Sequence, residues 1–356
     1  MNLLVILRSA GAKFLKPLRR MEPAGFSPAQ AAEIRRTLEY WGFSQVTSLT
    51  NLGGRASSNY AFHSLERDYI LRYYEGPLTY LLYQLKVVRH LAEYNFPYDV
   101  PRIRYLSDGS EYLSDRGGFW IVYGFIPGHP VTDLFEISRA EEVGALVAKF
   151  HSTMTEFSLG DEEGNFVLPM FQTSQVVQAL TDPLPNTCGS KMSRMHRKML
   201  EVVVNRYIQL PHAEISAVMQ LPKQTIYNDW HGWNMLQNRQ GICGIIDFDS
   251  IVEAPRVVDV QNALSYILIS KKEPSRELVA AFLRQYKLSC PFEARETLFI
   301  QSVMIDRMLH IISDIQRESP VDVTRVELAG RMVRFLHWIV RAEKLSRWLE
   351  DEAVSI

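Results

Sequence analysis

The sequence predicts an α+β fold in two parts, a small β-rich N-terminal lobe and a larger, mainly helical C-terminal lobe. Three observations point there. Short β-prone runs crowd residues 45–126, a Pro/Gly break falls at 126–130, and helical periodicity fills most of the chain from 131 on. The chain has 356 residues and 47% hydrophobic content, too much for one small core and enough for two.

Residues 1–26 form a basic arm. The first twenty, MNLLVILRSAGAKFLKPLRR, hold five Lys/Arg and no acid. They read as a frayed or docked arm, with an amphipathic surface helix as the alternative. Their apolar stretch is short and precedes most of the charge, which does not match a signal peptide well. The N-terminal lobe, 27–126, opens with a helix that Ser27 caps and Pro28 starts, running to about Trp41 and stopping at Gly42. Strands are expected at 45–50, 59–64 and 68–74, a helix at 78–94, and strands again at 103–107 and 119–126. IPGHP, 126–130, reads as a linker. In the C-terminal lobe, 127–356, helices are expected at 138–154 and 191–208, with irregular loop at 158–187. A β-rich island lies at 224–250, and long helices run from about 256 to 349.

Bulk properties exclude some classes. A net charge of -1 leaves no global footprint for nucleic acid. No apolar run is long enough to span a bilayer. Cys188, Cys243 and Cys290 are odd in number and far apart, which argues against a disulfide framework or a structural zinc. A reducing, cytoplasmic setting is the expectation. Oligomeric state is not readable.

The chemistry concentrates in TIYNDWHGWNMLQNRQGICGIIDFDS, residues 225–250. Two β-prone runs flank a short loop with Asp229, His231 and Asn234, and the second run ends in Asp247 and Asp249. Phosphoryl transfer needs one carboxylate to orient a hydroxyl and take its proton. It also needs oxygen ligands to hold Mg²⁺ on the transferring phosphates. An Asn amide oxygen with an Asp carboxylate is a common Mg²⁺ pairing.

D-x-x-x-x-N, a hairpin, then an apolar strand ending in Asp resembles the catalytic core of the aminoglycoside phosphotransferase and choline kinase-like family, relatives of protein kinases. The likeness runs from about residue 46 to 340 and is most specific at 225–260. It implies a two-lobed protein-kinase-like fold, ATP as co-substrate and Mg²⁺. It implies Asp229 as catalytic base, Asn234 and Asp247 as metal ligands, and Asp259 of APRVVD as a brace for the loop. In the N-terminal lobe it implies a phosphate-contacting turn (Gly53, Gly54, Ser57, Ser58), a phosphate-pairing cation on a strand (Arg72), and an adenine-binding edge (the backbone of Gly124 and Ile126). The chain departs from the pattern at three places. Gln84 stands where a helix carboxylate usually pairs with the strand cation. Tyr227 stands where relatives carry His, and Trp230 and Trp233 add bulk to the loop.

Other polar residues carry blander expectations. His231 reads as bracing the loop, and His151 as a satisfied core histidine. The basic side of helix 191–206 (Lys191, Arg194, Arg197, Lys198 and Arg206) reads as a solvated face. Asp306, His310 and Asp314 recur along one helical side and read as a face turned to water, with a pocket wall as the alternative. A faint similarity to N-acetylhexosamine kinases would put Asp249 and Arg307 against a sugar, with Trp230 and Trp233 stacking on it or simply packing.

The expected activity is transfer of the ATP γ-phosphate to a hydroxyl of a small molecule: a sugar, amino sugar, amino alcohol or aminoglycoside. Two other classes stay open, a catalytically inactive kinase-fold regulator and a structural protein.

Overall fold

A computed structural model describes residues 27–53, 57–65, 67–134, 136–158, 166–168, 170–181, 194–270, 274–317 and 323–354. The expected basic arm, Gly54, Cys188 and Lys191 lie outside them. The chain divides into two compact units. The first takes in the described residues up to Val131 with Glu156–Phe166 and Trp233–Asp249, and the second Thr132–Thr155, Val167–Gly232 and the chain from Ser250 on.

The first unit begins with α1 (Pro28–Glu39). Ser27 caps it as expected: its hydroxyl accepts from the Gln30 N–H while the Gln30 side chain returns to the Ser27 N–H, so two orphan donors are satisfied reciprocally. Next in the chain comes a six-stranded sheet, built from β1 (Ser48–Gly53), β2 (Ser57–Ser64), β3 (Arg67–Tyr74), β4 (Ile103–Arg104), β5 (Leu113–Asp115) and β6 (Gly118–Gly124). Its order is β1-β2-β3-β6-β4, with β5 beside β6, and its ladders are antiparallel.

Side chains alternate across a strand, so β3 feeds two cores. Tyr69 and Leu71 join Phe62, Trp120 and Val122 under Ile34, Leu38, Trp41 and Phe43. On the other face Ile70 and Tyr74 join Ile121 and Tyr123 against Leu81 and Leu85 of α2 (Leu78–Glu93).

The segment expected as a linker contains an edge strand, β7 (His129–Pro130). It pairs with β9 (Met235–Asn238), which pairs with β10 (Gly241–Ile245). Pro130 lacks an N–H, which suits an edge position. The island 224–250 is therefore not one sheet. Its first strand, β8 (Lys223–Ile226), belongs to the second unit and pairs with β11 (Val252–Pro255).

The rest of the second unit is helical: α3 (Ile137–Met154), α4 (Thr173–Thr181), α5 (Arg194–Ile208), α6 (His212–Met219), α7 (Val257–Ser270), α8 (Arg276–Ser289), α9 (Ala294–Arg317), α10 (Val323–Ala342) and α11 (Lys344–Val354). Helix α4 lies inside a stretch expected to be irregular. Its nine residues are too short for periodicity to stand out, and Met170 and Val176 are buried by tertiary packing. Helices α3 and α8 meet closely at Gly144, where an added Cβ would lie 2.4 Å from the Phe282 carbonyl oxygen.

Candidate active site

The loop between β8 and β9 is held by helix α7, which comes after the island. Asp259 of α7 is fully buried, and its carboxylate accepts from the Tyr227 N–H at 2.9 Å and the Asn228 N–H at 2.6 Å. His151 of α3 lies with Nε2 3.0 Å from the same carboxylate and Nδ1 2.7 Å from the Tyr286 hydroxyl. His151 is thus a satisfied core histidine, and Asp259 braces the loop as the resemblance implied. One turn further along α7, Asn262 Oδ1 accepts the Trp230 N–H at 2.8 Å.

These bonds hold the backbone where it bends sharply. Asn228 has φ 60°, a left-handed conformation that asparagine tolerates better than most non-glycine residues. The next residue, Asp229, keeps about a quarter of its side chain exposed, and His231 Nε2 lies 3.4 Å from its Oδ2. A partly exposed carboxylate on a braced loop can accept a proton from an incoming hydroxyl.

Trp230 and Trp233 behave differently. Trp230 is wholly buried, with its ring 4.5 Å from Tyr227 and 5.6 Å from Phe150, centroid to centroid. That settles it as a packing residue and removes it from the sugar-stacking reading. Trp233 is 44% exposed.

The unit boundary falls within this loop, between Gly232 and Trp233, so Asp229 belongs to the second unit and Asn234, Asp247 and Asp249 to the first. The β9–β10 ladder pairs Met235 with Ile245, and the Ile246 N–H extends it to the Asn234 carbonyl at 2.9 Å. Asn234 and Asp247 therefore sit at the same end of one hairpin. Asp247 has φ 68° and an exposed side chain, whereas Asn234 is buried. An amide and a carboxylate are hard oxygen donors that suit Mg²⁺. Among the described residues no group of three or more His, Cys, Asp or Glu is arranged to hold a metal. An Asn/Asp pair that leaves positions for phosphate oxygens and water fits the donor set expected for such an ion.

Arg72 is 7% exposed, so it is not a surface arginine. Its Nη2 donates to Asp249 Oδ1. Burial opposes its charge, yet the carboxylates of Asp249 and, more weakly, Asp247 raise its pKa above the usual value. It makes no hydrogen bond to Gln84, whose Nε2 is buried without a partner among the described residues. Asp249, expected as a sugar contact, bonds Arg72 through Oδ1 and keeps its side chain 22% exposed.

Gly53 has φ 73° and open space where a Cβ would be, and its N–H donates to Asn51 Oδ1 at 2.8 Å. Asn59 Nδ2 reaches both the Gly53 carbonyl and Ser57 Oγ at 3.3 Å, tying the two strand ends together. Ser58 is exposed opposite Tyr73. At the end of β6, an inner strand of the sheet, the Gly124 N–H is spent on the Arg102 carbonyl at 2.8 Å, so it has no hydrogen left for a nucleotide base. Ile126, outside the strands, keeps a backbone N–H with no acceptor among the described residues.

The face expected to be wet on α9 is exposed only in part. Asp306 is fully buried, accepting from the Tyr207 hydroxyl at 2.5 Å and the Phe171 N–H at 3.0 Å. Arg307 beside it is half-buried, and burial lowers its pKa even though Asp306 and Asp314 act against that. Asp314 alone of the three stays exposed. Arg194, Arg197, Lys198 and Arg206 are exposed, as expected.

Among solved structures, similar chains include an amicoumacin kinase, hAmiN, in complex with AMP-PNP, Ca²⁺ and Ami (TM-score 0.63, 17% identity, covering 86% of this chain and 93% of that one). A microcompartment-associated aminopropanol kinase gives TM-score 0.66 at 14% identity, over 88% and 99% of the two chains. A spectinomycin phosphotransferase with ADP and spectinomycin gives 0.67 at 13%, over 88% and 99%. At such identities the likeness shows the fold, which is that of the protein-kinase-like small-molecule kinases. No curated protein matches the sequence. Among the described residues no helix is long and apolar enough to cross a membrane. The model of the phosphotransferase enzyme family (APH) matches residues 48–298, more than half of the chain, and the chain therefore belongs to that family.

Proposed function

We propose that this phosphotransferase is an ATP- and Mg²⁺-dependent kinase that moves the γ-phosphate to a hydroxyl of an amine-bearing small molecule. The observation that carries the reading is the hairpin register that puts Asn234 and Asp247 at one end of β9–β10, with Arg72 bonded to Asp249 two residues beyond Asp247. Asp229 orients the acceptor hydroxyl and takes its proton. Asn234 and Asp247 hold the metal, which neutralises charge on the phosphates when bound. Arg72 steadies the phosphate oxygens, the β1–β2 turn with Gly53, Ser57 and Ser58 covers them, and the Ile126 N–H meets the adenine edge. Solved structures of similar fold are named for amicoumacin, aminopropanol and spectinomycin as acceptors or ligands, which favours a small hydroxyl compound that also carries nitrogen.

The test is an ADP-release screen over amino alcohols, amino sugars, hexosamines and aminoglycosides, with Asp229→Asn as control. Acceptor-dependent ADP release that Asp229→Asn reduces by ~10³-fold or more is expected for loss of base and alignment together. Nucleotide binding without turnover on any acceptor would favour a regulator instead. No Mg²⁺-dependent nucleotide binding at all would favour a structural protein.

A further inference from the structure

Arg72 is a buried cation whose partner is not on the helix that faces it. Positions 70, 72 and 74 share one face of β3, and Ile70 and Tyr74 pack with Leu81 and Leu85 of α2. Arg72 therefore faces α2. On that helix Gln84 lies beside Leu85 on the buried side, 2% exposed. A carboxylate there would neutralise Arg72, but an amide cannot. Gln84 Nε2 and Arg72 Nε both lack hydrogen-bond partners among the described residues. A desolvated guanidinium still needs a countercharge.

That charge comes from 177 residues along the chain: Arg72 Nη2 donates to Asp249 Oδ1, with the two side chains 8% and 22% exposed. Helix α2 contributes only indirectly, since the Tyr80 hydroxyl donates to the Asp249 carbonyl at 2.8 Å and fixes the backbone that carries the carboxylate.

We propose that Asp249 is the positioning residue for Arg72, supplying the countercharge that Gln84 cannot and holding one edge of the guanidinium so that the rest can meet a nucleotide phosphate. Because Asp249 lies two residues beyond Asp247, one short segment carries both a metal ligand and the anchor of the phosphate cation. This rests on the reading of Arg72 as a phosphate contact.

The experiment measures binding of Mg·ADP and of adenosine by titration calorimetry in the full chain. Four variants are compared: Arg72→Gln, Asp249→Asn, Gln84→Glu, and Gln84→Glu with Asp249→Asn. The expected result is that Asp249→Asn weakens Mg·ADP by about tenfold or more, as for loss of a charge-assisted bond, and leaves adenosine unchanged. Gln84→Glu in that background restores most of the loss, because it puts a carboxylate on the face Arg72 already sees. If Arg72→Gln weakens Mg·ADP but Asp249→Asn does not, or tightens it, the positioning role is overturned while the Arg72 reading stands. If Arg72→Gln has no effect, the reading of Arg72 itself fails. Equal weakening of adenosine would make Asp249 merely structural. Should Asp249→Asn not fold, the double variant decides: near-parental Mg·ADP affinity supports the proposal, and affinity no better than adenosine's overturns it.

Discussion

Replacing Asp259 by Asn tests how the loop before Asp229 is held. The carboxylate accepts from two backbone N–H groups, those of Tyr227 and Asn228, and from His151 Nε2; Asp259, Tyr227 and His151 are fully buried and Asn228 partly so. An Asn of the same shape keeps one acceptor oxygen and presents an NH₂ on the other side. If the oxygen stays with Asn228, the NH₂ confronts the Tyr227 N–H, donor against donor. His151 can adapt by switching tautomer, but the amide cannot. One buried N–H left unpaired costs about 1–3 kcal/mol, and the remaining bonds lose their charge assistance, so roughly 3 kcal/mol in total is expected. For a unit of this size that lowers Tm by roughly 6–12 °C. With its N–H no longer held by a carboxylate, Asn228 would also be free to leave its left-handed conformation, displacing Asp229. A shift on the order of 1 Å at the base reduces turnover by about a hundredfold. Differential scanning fluorimetry and acceptor-dependent ADP release measure the two effects. A variant within about 2 °C of the parent with unchanged turnover would refute the bracing argument.

Three further substitutions probe particular contacts. Gly144→Ala pushes a methyl to within 2.4 Å of the Phe282 carbonyl oxygen, forces α3 and α8 apart and should cost about 1–3 kcal/mol in urea denaturation; a neutral result would mean the helices part freely. Tyr207→Phe removes the hydroxyl from the buried Asp306 and should cost roughly 1.5–3 kcal/mol by the same measurement, whereas a water-facing Asp306 would show no change. Trp230→Phe should reduce stability by about 1–3 kcal/mol while leaving the acceptor KM alone; a raised acceptor KM at parental stability would return Trp230 to sugar stacking.

Local signals carried a large share of the fold. The Ser27 cap with Pro28, the alternation along 68–74 and the D-x-x-x-x-N loop between apolar runs are all set by neighbours within a few residues. Such patterns are visible in a one-dimensional string because backbone sterics and side-chain alternation act locally. The brace was legible through the family resemblance: APRVVD, residues 254–259, pointed to Asp259, and its carboxylate does hold the loop.

What tertiary structure decided concerns partners and burial. Nothing local says that β8 pairs with β11 while β9 and β10 pair with each other and with His129–Pro130. Nor does the i, i+4, i+8 spacing of Asp306, His310 and Asp314 tell water from a neighbouring helix; the folded chain buries Asp306, with Tyr207 and the Phe171 N–H both donating to its Oδ1. The sequence alone determined that this chain has a cation on its third strand and an amide, not an acid, at the position of the neighbouring helix that would face it. Only the folded chain decided which acid answers that cation. Countercharge in a low-dielectric interior is chosen by distance in space, and Asp249 is remote from Arg72 in every respect but that one.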